Sequence, residues 1–225
     1  MLVETGGYGL MGRELAKIMD ITQLGHQDLE IKDIRSVDRV LHNANLVLHL
    51  AAMVDTLGAE KNKQLAYETN VIGARNVSSV AKTLYVSTDY VFDGTKGNYS
   101  VSDYVNPINY YGLTKLLGEY EVLRNGGKVI RLSFKPRPYK HAQVPREMYF
   151  SGGYVDDMAQ EIKKAIEHYD ELPDITHIGF RRMSLLELAR QTRIVKSISI
   201  KDIPLPLPRD TSFDLTVWRR ICQRD

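Results

Sequence analysis

A single cysteine, Cys222, in 225 residues excludes an intrachain disulfide, so the fold must rest on an apolar core, and a reducing compartment suits the chain. No apolar run approaches the roughly 20 residues needed to cross a bilayer. The N-terminus has no basic segment followed by an apolar one, since glycines begin at Gly6, and no secretory signal peptide is expected there. Charge of one sign is scarce as well: 30 basic against 28 acidic side chains leave a formal net charge of +2. So small an excess offers neither a nucleic-acid footprint nor a basic stripe for a membrane surface. The six histidines have no metal-ligand spacing, and no metal is expected. His49 lies inside the apolar run Leu46 to Leu50 and reads as a packed core histidine. There are no internal repeats and no low-complexity segments. These gaps together point to a cytoplasmic chain that works without nucleic acid or membrane.

What is present suits an ordinary globular protein of one or two domains, with 43% hydrophobic and 26% charged residues. Short apolar runs alternate with helical periods over residues 1–134. Leu2-Val3 leads into a glycine cluster, and residues 13–20 read as a short helix. Ile21 to Leu24 is a poorly defined second strand, and Leu46 to Leu50 is apolar throughout, as a strand buried on both faces should be. A helix is expected over residues 64–82, a strand at residues 84–86, a helix within residues 107–123 and a strand at Val129-Ile130. The helix ending near Lys82 runs almost directly into the strand at Leu84, where about 2–6 connecting residues are usual. This leaves two readings, a trimmed connection or residues missing from the chain as written. Strands alternating with helices give an α/β fold, a Rossmann-type doubly wound parallel sheet. After Phe134 the segment Lys135-Pro136-Arg137-Pro138 stops any helix or central strand. Helices are expected at residues 155–168 and 183–192. Residues 135–225 therefore read as a smaller substrate-binding region packed on the dinucleotide-binding domain of residues 1–134.

Gly6, Gly9 and Gly12 follow the first strand and open the first helix. In that context the first glycine makes the tight turn, the second lets backbone approach a pyrophosphate, and the third lets helix pack on sheet. Glu4 is out of pattern, because a carboxylate in a buried strand is costly unless paired. The acid that would bind a cofactor ribose about 20 residues further on is not obvious. Gln23, His26 and Asp28 lie nearby, so the cofactor is NADPH or NADH. Asp28 faces the adenine edge or is an exposed turn aspartate.

Tyr111 and Lys115 are spaced i, i+4 and share one helix face. With 13 tyrosines in the chain, chance alone supplies about one Tyr–Lys pair at that spacing. Position makes it informative, since the pair follows the strand ending Ser87-Thr88-Asp89, whose carboxyl edge is where substrate would lie. A phenol titrates near 10, and a nearby ammonium favours its phenolate and lowers that value. Tyr111 is then a proton donor to a carbonyl oxygen, and the Thr88 hydroxyl polarises the same oxygen.

The run Val86-Ser87-Thr88-Asp89-Tyr90-Val91-Phe92-Asp93-Gly94, with Asn106-Pro107 to Gly118-Glu119, resembles the dTDP-4-dehydrorhamnose reductase family of extended short-chain dehydrogenases/reductases. The glycine loop, Ala51-Ala52, residues 67–76 and Tyr154-Val155-Asp156-Asp157 carry the resemblance further. It implies Thr88, Tyr111 and Lys115 as the catalytic set. It places Gly6, Gly9, Leu10, Met11, Gly12, Asp28, Leu29, Ala51, Ala52 and Lys115 around the cofactor. Asp89 and Tyr90 would hold the sugar, and Arg209 loosely matches a pyrophosphate-binding arginine. Related dehydratases usually carry a glutamate where Tyr90 stands, so reduction is favoured over water elimination. The implied activity is reduction of the C4 ketone of a 6-deoxy sugar nucleotide by a nicotinamide cofactor, in a possible homodimer. Two other functions fit the same resemblance. One is a non-catalytic regulatory subunit, because the beta subunit of methionine adenosyltransferase is similar to this family. The other is a sugar-nucleotide epimerase.

Overall fold

Six short strands carry the molecule: β1 (Leu2–Thr5), β2 (Thr22–Leu24), β3 (Leu46–His49), β4 (Thr83–Thr88), β5 (Lys128–Leu132) and β6 (Ile175–His177). They form one parallel sheet in the order β6-β5-β4-β3-β1-β2. The structure, a computed structural model, describes residues 1–223. β1 pairs with β2 on one side and with β3 on the other. The winding direction reverses between β1 and β3, and a crevice opens outside the carboxyl ends of strands at such a switch point.

Helices cover both faces, which is why the central strands are apolar without alternation. They are α1 (Leu10–Leu15), α2 (Ile34–Leu41), α3 (Thr56–Lys61), α4 (Lys63–Tyr67), α5 (Gly73–Val80), α6 (Tyr110–Arg124), α7 (Val155–Glu167), α8 (Leu185–Arg190) and α9 (Thr216–Cys222). Leu48, Leu84 and Ile130 pack with Met11 and Leu15 of α1, Met158 and Ile162 of α7, and Trp218 of α9. Their strand neighbours point the other way. Val47 meets Val37, Leu41 and Val77 of α2 and α5, while Tyr85 and Val129 meet Ala74 and Val122 of α5 and α6. Asp33, Asp55, Asn62, Asn109 and Ser184 start five of the helices by accepting a backbone N–H in the first turn.

The helix expected over residues 64–82 is broken by a π-turn at Glu68–Ile72. The first helix starts earlier than expected, at Leu10 directly after the glycine loop, and stops at Leu15. Only Ala81 and Lys82 join α5 to β4. This trimmed connection is tied down, with Thr83 Oγ1 donating to Ala81 O at 2.7 Å and Val47 N to Lys82 O at 2.8 Å.

Beyond residue 134 the chain supplies both a cap and part of the main body. β6, α7 and α9 complete the sheet and its core. Between them Tyr139, Val144, Phe150, Tyr154, Leu185, Leu188 and Ile200 form a second, smaller core, against which Tyr90 packs. Phe134–Lys135 pairs with Gly153–Tyr154, tying this cap to the carboxyl end of β5. Among the described residues no helix is long and apolar enough to cross a membrane, and no group of His, Cys, Asp or Glu is arranged to hold a metal ion.

Candidate active site

A crevice of about 1020 Å³ runs over the carboxyl ends of the central strands, from the glycine loop to Thr88, Tyr111, Lys115 and Lys135. At its first end Gly6 has φ +72°, and a Cβ there would lie 2.8 Å from Ala51 N. A Cβ on Gly12 would lie 2.2 Å from Gly7 O, so α1 sits this close to the loop only with glycine. Bare backbone thus forms the wall. Gly9, Leu10, Met11, Leu29, Ala51 and Ala52 also line it.

Gln23 holds this loop from below, a role without a sequence signal. Its Nε2 donates to Gly7 O at 2.7 Å and Gly12 O at 3.1 Å, and to Glu4 Oε1 at 2.9 Å. Glu4 is fully buried beneath the loop and its other oxygen has no hydrogen-bond partner among the described residues. Burial pushes its carboxyl up to about 7, with the Gln23 bond working against the shift. Asp28 is not part of the crevice wall. Its carboxylate turns back to accept Gly25 N at 2.9 Å, and it raises the pKa of the Tyr8 phenol. His26 and Gln27 face the crevice at this end instead.

At the other end Asn109 caps α6 by accepting Gly112 N at 2.8 Å. Gly112 lies so close to Tyr90 O that a Cβ would stand 2.2 Å from it. This contact brings the Tyr111 ring edge-on to Tyr90, with centroids 6.1 Å apart. The Tyr111 phenol and the Thr88 hydroxyl share this end of the crevice wall. Burial pushes Tyr111 up to about 12, the Thr88 hydroxyl opposes the shift and the Asp89 carboxylate adds to it.

Lys115 shares the crevice but does not lower the Tyr111 pKa, contrary to the expectation from its spacing. The ammonium is aimed into the sheet edge, where Nζ donates to Val86 O at 2.8 Å and sits 3.9 Å from the Tyr85 ring centroid. Burial brings Lys115 down to about 7 against the pull of Glu119. Glu119 is itself spoken for: Ser87 Oγ donates to it at 2.5 Å, and Arg131 Nε and Nη2 at 2.9 and 2.6 Å. His49 is buried, 2.6 Å from Thr5 Oγ1 through Nδ1 and stacked on Tyr85. Burial, with Lys115 adding, lowers it to about 3, so it is neutral.

Asp89 is buried and accepts from Thr211 Oγ1 at 2.5 Å and Thr88 Oγ1 at 3.2 Å. Burial raises its pKa, and the Lys135 ammonium acts against that. Arg209 is absent from the crevice wall. It lines a second cavity, about 1030 Å³, with Asp93, Arg146 and Arg182. Two crevice features escaped sequence reasoning. Lys135 lies in a proline-punctuated stretch that looks like surface. Asn70 is buried within the π-turn and grips the Met53 backbone from both sides, accepting from its N at 2.8 Å and donating to its O at 3.1 Å.

Residues 1–134 match the family model of the RmlD substrate binding domain. The dTDP-4-dehydrorhamnose reductase of Mycobacterium tuberculosis is 33% identical over 137 residues, 54% of this chain and 45% of that protein. Methionine adenosyltransferase 2 subunit beta of Bos taurus is 31% identical over 163 residues, 63% of this chain and 47% of that protein. The chain spans about half the length of the curated relatives it matches. Among solved structures, the dTDP-4-dehydrorhamnose reductase of Bacillus anthracis in complex with NADP superposes with a TM-score of 0.85 at 27% identity, covering 97% of this chain and 92% of that one.

Proposed function

The chain belongs to the RmlD substrate binding domain family, and from that premise we propose that it is an NADPH- or NADH-dependent reductase of the C4 ketone of a 6-deoxy sugar nucleotide. The observation that carries this is the placing of the Tyr111 and Thr88 hydroxyls together at one end of a crevice whose other end is bare glycine backbone. The glycine wall fits a dinucleotide, because Gly6 and Gly12, where a Cβ would collide with Ala51 N and Gly7 O, let the loop and α1 pack this closely and leave bare backbone for the cofactor's diphosphate. Gly6, Gly9, Leu10, Met11, Gly12, Leu29, Ala51, Ala52 and Lys115 would hold it. When bound, the nicotinamide supplies a hydride.

The chain's own residues manage the proton. A phenol held near 12 keeps its proton at neutral pH, so Tyr111 can donate it to the C4 oxygen as that oxygen gains charge. Thr88 hydrogen-bonds the same oxygen and fixes the carbonyl against the phenol. Asp89, kept in place by Thr211, and Tyr90 flank the sugar. Arg209 would reach the substrate only from the second cavity, through its nucleotide end. The cap built on Tyr139, Phe150 and Leu188 is the substrate-binding part. A homodimer in the cytoplasm completes the proposal. Its support is the partly exposed Leu65, Tyr67, Leu113 and Tyr120 on the adjoining helices α4 and α6.

The test is loss of reduced-cofactor fluorescence with a panel of nucleotide-linked 4-keto-6-deoxy sugars. Wild-type protein should consume cofactor with at least one of them. Tyr111→Phe should lower kcat by about 10²–10⁴-fold with cofactor affinity nearly unchanged. Cofactor binding with no consumption across the panel would instead support a non-catalytic regulatory subunit; the bovine relative is named as a subunit beta of methionine adenosyltransferase 2.

A further inference from the structure

Lys135 lies three residues past Leu132, the end of β5, in the two-residue strand Phe134–Lys135. Neighbouring side chains on a strand point to opposite faces. Phe134 packs against the main core, and Lys135 turns the other way, along the crevice wall beside Asp89 and Tyr90. Its ammonium is half-buried over the Phe150 ring, 5.7 Å from the centroid, and has no hydrogen-bond or ion-pair partner among the described residues. Burial lowers its pKa, and the Asp89 carboxylate acts against that shift. That carboxylate is already taken by Thr211 and Thr88 and is itself raised in pKa by burial. A partly desolvated cation without a bonded partner is costly unless a ligand supplies the anion.

The proposed ligands narrow what that anion is. A 4-keto-6-deoxy sugar has no charge of its own, so the substrate's only negative groups are its two phosphates. The cofactor's diphosphate belongs at the glycine loop, the opposite end of the crevice. Arg209, to which the resemblance gives the substrate's diphosphate, faces a different cavity. We propose that Lys135 holds the diphosphate of the substrate nucleotide inside the main crevice, and so sets how far the sugar reaches toward Tyr111 and Thr88. This rests on the reductase function proposed above. It makes the protein selective for nucleoside-diphosphate sugars over free sugars of the same shape.

The experiment compares dTDP with thymidine, which lacks phosphate, by titration calorimetry on the whole chain as wild type, Lys135→Met and Lys135→Arg. A charge-assisted contact of this kind corresponds to roughly 10–100-fold in affinity. Lys135→Met should weaken dTDP by that factor and leave thymidine unchanged, and Lys135→Arg should restore dTDP. In steady state Lys135→Met should raise KM by the same factor and lower kcat as well, because the sugar is no longer held at the right depth against Tyr111. Wild-type protein gives an independent measure, since dTDP but not thymidine should protect Lys135 from amine acylation. The proposal is overturned if wild type binds no dTDP, if Lys135→Met loses dTDP and thymidine equally, or if dTDP fails to protect the amine. Selective loss of dTDP in a protein that turns over no sugar nucleotide would keep Lys135 as a diphosphate site and sink the reductase. Turnover with dTDP affinity unaffected by Lys135→Met would do the reverse.

Discussion

Glu4 is held under the glycine loop at a cost that depends on pH. Its folded carboxyl titrates at about 7 against an ordinary 4.5, so the fold prefers the protonated acid. A group raised in this way contributes stability that is fully present below 4.5 and lost as pH rises through 7. Across that window the loss is about 3 kcal/mol at most, since one pKa unit is about 1.4 kcal/mol. Lys115 slopes the other way. Its folded value of about 7 against 10.5 favours the neutral amine, so its contribution is present above 10.5 and lost as pH falls through 7. The two together place a local minimum of stability near neutrality. Glu4→Gln mimics the protonated acid and keeps an acceptor for Gln23. Urea unfolding of this variant should match wild type near pH 4, below the ordinary 4.5, and exceed it by about 1–3 kcal/mol at pH 8. An equal difference at both pH values would show that charge on Glu4 is not the cause.

At the scale of elements, the π-turn Glu68–Ile72 does what an uninterrupted helix would not. The extra residue in the turn sets Asn70 inward, where its amide bonds both polar groups of Met53 and donates to Thr114 Oγ1 at 2.9 Å. Met53, Val54 and Thr69 line the crevice, so one buried side chain fixes a stretch of its wall to α6. Asn70→Ala strands these partners, and each buried unsatisfied group costs about 1–3 kcal/mol. The denaturation midpoint should fall, and cofactor affinity, read by fluorescence titration, should weaken roughly tenfold if about 1.4 kcal/mol of it depends on that wall. Lost stability with unchanged affinity would mean that Asn70 serves the fold alone. This element also marks where sequence reasoning stops. Leu46 to His49 is legible as a central strand because burial on both faces demands apolar residues throughout, and Gly6 to Gly12 because only glycine fits against Ala51 and Gly7. A π-turn leaves the apolar period almost unchanged, so residues 64–82 read as one helix. Lys135 looks like any surface lysine near prolines until its strand pairs with Gly153–Tyr154. The direction of the Lys115 ammonium is equally invisible in an i, i+4 spacing, since it is set by Val86 O and the Tyr85 ring of β4, not by α6 itself.

At the scale of the molecule, the division at residue 134 cuts across a shared core. Leu48, Leu84 and Ile130 from the first part pack against Met158, Ile162, Trp218 and Ile221 from the second. β6 extends the same sheet beside β5. The cap residues around Phe150 and Leu188 have their own core, but the chain on both sides of them is anchored in the main one. Trp218 is the single tryptophan and is buried within this junction, its Nε1 donating to Glu161 Oε2 at 2.7 Å. Its fluorescence therefore reports on packing between the two parts, whereas far-UV circular dichroism reports on the whole. If the shared core makes folding cooperative, the two signals should give coincident denaturation curves. Trp218→Phe keeps most of the ring but removes the donor, leaving one buried carboxylate oxygen without that bond. It should lower the circular-dichroism midpoint by the equivalent of about 1–3 kcal/mol while the curve stays a single transition. A fluorescence change in wild type that precedes the loss of secondary structure would mean that residues 135–225 come away first. The crevice, whose wall includes Lys135 beyond the division and Tyr111 before it, would then be lost before the sheet unfolds.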